Sequence, residues 1–140
     1  MSTLLSAINA SATALNAERT RIEVAVSNLA NADSTRGPDG QPYRRRDVVL
    51  SAEPQSFESA LDDASAVGVK AGIVEDQSPF KRRYDPSHPD ADAEGFVAMP
   101  NVDTPEEMVN MLSASRAYQA NLTAIGLIRD LVQKSLELGK

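Results

Sequence analysis

The 140-residue chain has no cysteine, which excludes disulfides, thiolate metal ligands and a thiol nucleophile. Tryptophan is absent and aromatic residues make up only 4 % of the sequence, so a core must be built from Ala, Leu, Ile and Val. Such a core is thin for a monomer and implies that stability comes partly from assembly. The single histidine, His88, lies in a turn-forming stretch, Ser87-His88-Pro89-Asp90. Without cysteine or a second histidine it makes no zinc site, and no Ser/His/Asp spacing matches a nucleophile motif. A glycine-rich phosphate loop is missing too. No catalytic residue, cofactor or metal ligand is therefore assigned.

Basic charge is also short, with 14 Lys and Arg against 20 Asp and Glu and a net charge of −6. That argues against nucleic acid as a partner, since phosphate contacts need a net basic face. No run approaches the roughly 20 apolar residues of a membrane span, so no membrane insertion is expected. Met1-Ser2-Thr3-Leu4-Leu5-Ser6-Ala7 lacks the basic and continuous apolar regions of a cleaved signal. The expectation is either a cytoplasmic protein or one exported by a route that does not read such a signal.

What is present is helical periodicity at both ends. The last third opens Asp103-Thr104-Pro105-Glu106-Glu107. Thr104 suits the N-cap, Pro105 the first helical position, and Glu107 completes a capping box. Only Gly126 interrupts before Gly139, where the helix would be closed, so one helix of about 35 residues is predicted. Its apolar residues repeat by sevens, Met111, Tyr118, Ile125 and Val132, with a second row of Met108, Leu122, Ile128 or Arg129, and Leu136. From Thr3 to Ala30 there is no proline or glycine, and Ile8, Leu15, Ile22 and Leu29 repeat in the same way. Leu4 or Leu5, Ala12 and Val26 fill much of its second row. Rows of this kind form an a/d-like seam that wants a partner helix.

A compact chain of this size would be about 37 Å across, shorter than helices of roughly 42 and 50 Å. The predicted fold class is accordingly mainly α. Long N- and C-terminal helices pair as an antiparallel coiled coil around a small β-rich central insertion. The expected division is 1–32 plus 103–140 for the helical domain and 33–102 for the insertion. Simple addition along antiparallel helices would set Ile8 opposite Val132, Leu15 opposite Ile125, Ile22 opposite Tyr118 and Leu29 opposite Met111, with a shift of one seam position allowed. The first helix is rich in small and amide residues, Ser6, Asn9, Ser11, Asn16, Ser27, Asn28 and Asn31, so its isolated helicity should be marginal.

Within the insertion, Asn31 to Gly40 is full of turn formers. Strands are predicted over Arg46–Ser51, Val67–Asp76 and Gly95–Met99. Ser56–Ala66 reads as loop or short helix, and Pro79–Glu94 as a long loop. Arg44-Arg45-Arg46 and Lys81-Arg82-Arg83 are the basic clusters. Each reads either as solvated loop charge or as a docking site for an acidic surface. Asp90-Ala91-Asp92-Ala93-Glu94-Gly95 imitates the start of a calcium loop, but the twelfth position is Asn101 where a bidentate Glu is needed.

Several segments carry a resemblance. Asn28-Leu29-Ala30-Asn31-Ala32-Asp33-Ser34-Thr35-Arg36 resembles the helix-ending motif of the rod and hook axial proteins of the bacterial flagellum. Pro42-Tyr43-Arg44-Arg45-Arg46-Asp47-Val48-Val49, Asp85-Pro86-Ser87-His88-Pro89-Asp90-Ala91 and Gly95-Phe96-Val97-Ala98-Met99-Pro100-Asn101-Val102 are similar to segments of that family's proximal rod members. Glu107-Met108-Val109 and Ser115-Arg116-Ala117-Tyr118-Gln119-Ala120-Asn121 complete the set. The resemblance implies a structural, non-enzymatic subunit of the basal-body rod that needs no cofactor. It implies partners in other rod proteins and copies of itself, and export unfolded through the flagellar type III apparatus without a cleaved signal. It also implies helical assembly into a tube across the periplasm. Asn28, Asn31, Arg44, Arg45, Arg46, Arg116 and Asn121 are the expected subunit contacts. The competing expectation is a cytoplasmic coiled-coil adaptor or export chaperone.

Overall fold

The structure, a computed structural model, describes residues 2–52 and 68–138. The element order is α1 (Ser2–Ala30), β1 (Arg46–Ala52), β2 (Val69–Glu75), β3 (Lys81–Tyr84), β4 (Phe96–Met99) and α2 (Thr104–Leu138). Two terminal helices thus enclose a small β insertion. The readings of Ser56–Ala66 and of the closing Gly139 lie outside the described residues.

α1 runs its full predicted length because nothing in it breaks a helix. It ends where Asn31 enters the turn-forming run, the Asn31 amide still donating to the Ser27 carbonyl at 3.1 Å. The Asn31 side chain adds a second bond to the same carbonyl at 2.9 Å and accepts from Ser34 at 3.2 Å. This side chain stabilises the helix end, in the way short polar residues do at termini.

The start of α2 departs from expectation. Asp103, not Thr104, is the cap: its carboxylate accepts the Glu106 amide at 3.2 Å and its carbonyl the Glu107 amide at 3.0 Å. A carboxylate at that position also meets the positive end of the helix dipole. The Glu107 side chain, expected to reach back and close a capping box, is buried elsewhere. Asp103→Ala should therefore cost about 0.5–2 kcal/mol of stability, whereas Thr104→Ala should be close to neutral. Urea unfolding of the two variants side by side would check the assignment, and the reverse order would refute it.

β1 and β2 form a two-stranded sheet. The Asp76 amide donates to the Arg45 carbonyl at 2.9 Å, and Gly72 faces the Val49 carbonyl. Partner numbers fall as the others rise, so the pair is antiparallel. The predicted strands Arg46–Ser51 and Val67–Asp76 correspond to it with small changes of boundary.

β3 is new: Lys81–Tyr84 lies in the stretch expected to be a loop. Three consecutive cations hide any alternation, and all four of its residues are exposed. The strand is created by its partner β4, with Lys81 opposite Met99, Arg82 opposite Ala98, Arg83 opposite Val97 and Tyr84 opposite Phe96. Tyr84 and Phe96 meet edge to face at 5.2 Å. The connection closes at Gly95, whose φ of 82° suits glycine and whose missing Cβ would lie 3.0 Å from the Tyr84 ring.

The chain forms two compact units, and both helices run from one into the other. One comprises Met1–Thr20, Val49–Gly72 and Ser113–Lys140. Its buried side chains include Ala17 and Ala114, and Thr13 joins α1 to β2 by accepting the Val69 amide at 3.0 Å. The other comprises Arg21–Val48 and Ile73–Leu112. Its core is Val24, Ala25, Val97, Met99, Pro100 and Val102. In β4 the side chains alternate, Val97 and Met99 buried and Ala98 exposed, so this strand supplies much of the core.

Candidate functional site

The most organised polar region lies wholly inside the second unit, around Asn28. This side chain is fully buried. Its amide donates to the Arg46 carbonyl at 2.7 Å and to Glu107 Oε2 at 3.0 Å. Its carbonyl oxygen accepts the Tyr43 hydroxyl at 2.9 Å and the Arg46 amide at 3.0 Å. Two donors and two lone pairs are thereby all used. One residue of α1 thus holds both backbone groups at the start of β1 and the first turn of α2.

Glu107, 2 % exposed, is the second hub. Its Oε1 receives Arg45 Nε at 2.6 Å. Arg45 retains only 11 % of its side-chain exposure and also lies 3.4 Å from Asp76, 3.7 Å from Asp47 and 3.8 Å from Glu106. Burial alone would push its guanidinium down, but the bond and charge of Glu107, with Asp47 and Glu106, hold it above the ordinary arginine range. The Arg45 amide donates to Asn101 at 2.8 Å, and Asn101 donates to the Asp76 and Ser78 carbonyls at 3.1 and 3.3 Å. Among the described residues no buried side-chain polar atom lacks a partner.

Among the residues of this arrangement no nucleophile stands beside a base. What it can do is mechanical. It fixes the end of α1, the start of β1, the end of β2 and the start of α2 to one another through directional bonds, which a smooth aliphatic interface could not do.

The expected contact residues divide in this light. Of Arg44, Arg45 and Arg46, read above as solvated loop charge or a docking site, two are bonded within the chain. Arg45 is half-buried and bonded into the hub. Arg44 donates to the Asp76 and Ser78 carbonyls at 3.0 and 3.2 Å and stacks over Phe80 at 4.4 Å. A local sequence cannot show that the acids able to hold an arginine sit 31 and 62 residues away. Arg46 remains exposed, its guanidinium 6.0 Å from the Tyr43 ring. Asn28 is an internal tie and Asn31 a helix-end bond. Asn121 bonds the Ala117 carbonyl at 3.0 Å, and Arg116 is exposed. The seam residues Ile8, Leu15, Ile22, Leu29, Met111, Tyr118, Ile125 and Val132 are all half-buried. Glu107, Tyr43, Asn101 and Asp76 were not foreseen in these roles.

The acidic loop spends its carboxylates on partners within the chain. Asp90 accepts from Thr35 at 2.9 Å and pairs with Arg36 at 3.3 Å. Asp92 accepts the Glu94 and Phe96 amides and pairs with Arg82, which covers the Phe96 ring. Among the described residues no group of three or more His, Asp and Glu could hold a metal ion, and no helix is long and apolar enough to cross a membrane.

Asp76 gives this region a pH dependence. Its carboxylate lies below the usual aspartate range, chiefly through the Ser78 hydroxyl and amide, with Arg45 adding to the effect. A native pKa below the unfolded value means that the stabilisation is present above about pH 3.9 and is lost as pH falls through the native value. Asp76→Asn should be less stable than the parent near neutrality and should lose less on acidification. Denaturation midpoints at about pH 7 and pH 3 would check this, and an equal acid loss in both proteins would refute it.

Two family models match the chain, one described as flagella basal body rod protein over residues 8–38 and one as flagellar basal body rod FlgEFG protein C-terminal over residues 93–138. The chain is 47 % identical over 138 residues to the flagellar basal-body rod protein FlgC of Escherichia coli O6:H1, covering 98 % of each sequence. It is 44 % identical over 149 residues to FlgC of Bacillus subtilis, with 99 % of each covered. To FlgC of Aquifex aeolicus it is 36 % identical over 140 residues, the full length of both.

Proposed function

The chain belongs to the FlgC family of flagellar basal-body rod proteins, and from that premise we propose how its own residues serve rod assembly. It is a structural subunit of the basal-body rod, not an enzyme, and it assembles with other rod proteins. The near-full-length likeness carries this conclusion and leaves the adaptor or chaperone reading without an observation in its favour.

The finer reading is that the terminal segments, 1–32 plus 103–140, act as a helical domain packing in an antiparallel coiled coil, with 33–102 as the insertion. The supporting observation is exposed aliphatic surface. On α2 alone, Met108, Val109 and Leu112 in one unit and Leu122, Leu127, Leu131 and Leu136 in the other are about half exposed or more. Surface of that kind on a soluble subunit marks a protein contact. The half-buried seam residues, from Ile8 to Leu29 and from Met111 to Val132, complete their burial against neighbouring helices. Arg46 and Arg116 contact neighbouring subunits. Export proceeds through the flagellar type III apparatus without a cleaved signal, and the rod spans the periplasm.

Leu127, 61 % exposed, separates folding from assembly. Leu127→Asp should leave the unfolding midpoint of the isolated subunit within about 0.5 kcal/mol of the parent. It should remove the variant from purified basal bodies and abolish motility, because a charge would be buried without a partner in the assembled helices. Normal incorporation would overturn the proposed helix contact.

A further inference from the structure

The segment Asp85–Asp92 is not used by the hub and contains the one histidine of the chain. A ring nitrogen of that residue takes part in the backbone bonding of the segment. The His88 backbone is placed by two turns: its amide donates to the Asp85 carbonyl at 3.2 Å, and its carbonyl accepts the Ala91 amide at 3.0 Å. Residue 89 is proline and offers no amide. The next amide, that of Asp90, donates to His88 Nδ1 at 3.1 Å. A ring nitrogen can accept such a bond only while it carries no proton; imidazolium has two donors and no acceptor.

Asp90 is at the same time the anchor of a long-range tie. Its carboxylate holds Thr35 at 2.9 Å and Arg36 at 3.3 Å, fastening the segment after α1 to the segment before β4. His88 therefore orients the backbone of the residue that bridges them. The charged groups around it are Asp85 and Asp90 in its own turn, Arg36 acting through Asp90, and Arg83 of β3, which reaches Asp85 at 3.9 Å. Asp85 lies below the usual carboxylate range, first through the Ser87 hydroxyl and then through the Ser87 amide, Arg83 and His88. It is thus ionised whenever a histidine titrates.

We propose that His88 is a proton-operated latch. Neutral, it accepts the Asp90 amide and holds Asp90 against Thr35 and Arg36. Protonated, Nδ1 becomes a donor facing an N–H group, the bond is lost, and the imidazolium turns toward the neighbouring carboxylates. It then competes with Arg36 for Asp90 and loosens the tie. The latch would thereby adjust the rigidity of the segment leading from α1 to β1 according to the protonation of the ring. The inference does not depend on the rod reading.

Amide exchange and ¹⁵N spectra of the full-length chain test it, with exchange corrected for its intrinsic pH dependence. Between about pH 7.5 and about pH 5, protection of the Asp90 amide should fall about fivefold to tenfold, the weight of one hydrogen bond. The Thr35 signals should shift with the same midpoint as the His88 ring nitrogens. His88→Asn keeps an acceptor at the same place, as an Asx turn, but does not titrate. In it the Asp90 protection should stay constant over the range. An unchanged Asp90 amide in the parent, or the same pH profile in His88→Asn, would overturn the proposal. The coincidence of midpoints in the parent chain decides the matter even if the variant folds poorly, since separate midpoints for His88 and Asp90 are incompatible with a latch.

Discussion

Glu107→Ala is expected to lower the unfolding free energy by about 3–5 kcal/mol, the usual cost of removing one partner from a buried ion pair. The substitution leaves Arg45, with 11 % side-chain exposure, without its 2.6 Å partner, and leaves one donor of the fully buried Asn28 unbonded. Asp76, Asp47 and Glu106 lie farther off, at 3.4 to 3.8 Å, and cannot replace a direct bond at Nε. The midpoint of thermal unfolding should drop by roughly 10–15 °C. Glu107→Gln should fall between parent and Ala, since its amide oxygen can still accept from Asn28 or Arg45 while the charge is gone. Arg45→Met in the Glu107→Leu background should recover much of the loss, because an apolar pair of similar volume removes the buried charge along with its partner. A loss below about 1 kcal/mol for Glu107→Ala would mean that the carboxylate is not a hub of this fold.

The second large effect is a contrast at Asn28. Asn28→Ala should cost about 3 kcal/mol, because the Arg46 amide and carbonyl, the Tyr43 hydroxyl and Glu107 all lose their bonds to one fully buried side chain. Asn28→Asp is nearly isosteric and still accepts from Tyr43 and Arg46. It nevertheless sets an oxygen where the amide stood, 2.7 Å from a carbonyl and 3.0 Å from a carboxylate. Two carboxylates at that separation cannot both be charged without a large penalty. The Asp variant should therefore be less stable than Ala at neutral pH. It should regain stability as pH falls and a shared proton restores a donor. Equal stability of Asn and Asp at this position would show that the donor role assigned to Nδ2 is wrong.

Both effects concern residues whose importance could be read only in part from the chain. The two helices were legible because their signals are local: no proline or glycine from Thr3 to Ala30, and a capped start followed by a long apolar repeat after Asp103. Three strands were legible for the same reason, each having enough β-branched or alternating residues over a few positions. β3 was not, since Lys81-Arg82-Arg83-Tyr84 has no pattern of its own and owes its conformation to pairing with β4. The motifs from Asn28 to Asn121 carried the family, a property of residue identity in order and not of geometry.

Glu107 marks the boundary between the two kinds of information. Its position three residues after Thr104 is a sound reason to expect a capping box, and Asp103, one residue earlier, is an equally good cap. Local rules leave those two starts nearly equal in energy. The difference is made by Arg45 and Asn28, 62 and 79 residues away in sequence, whose burial needs a carboxylate more than the helix end does. Composition and periodicity thus determined that there would be two long helices, no thiol chemistry, and aliphatic faces in want of partners. Which polar side chains became the internal ties, and which arginine of three was bonded into the hub, depended on the folded chain, because a buried charge is tolerated only where distant residues converge to satisfy it.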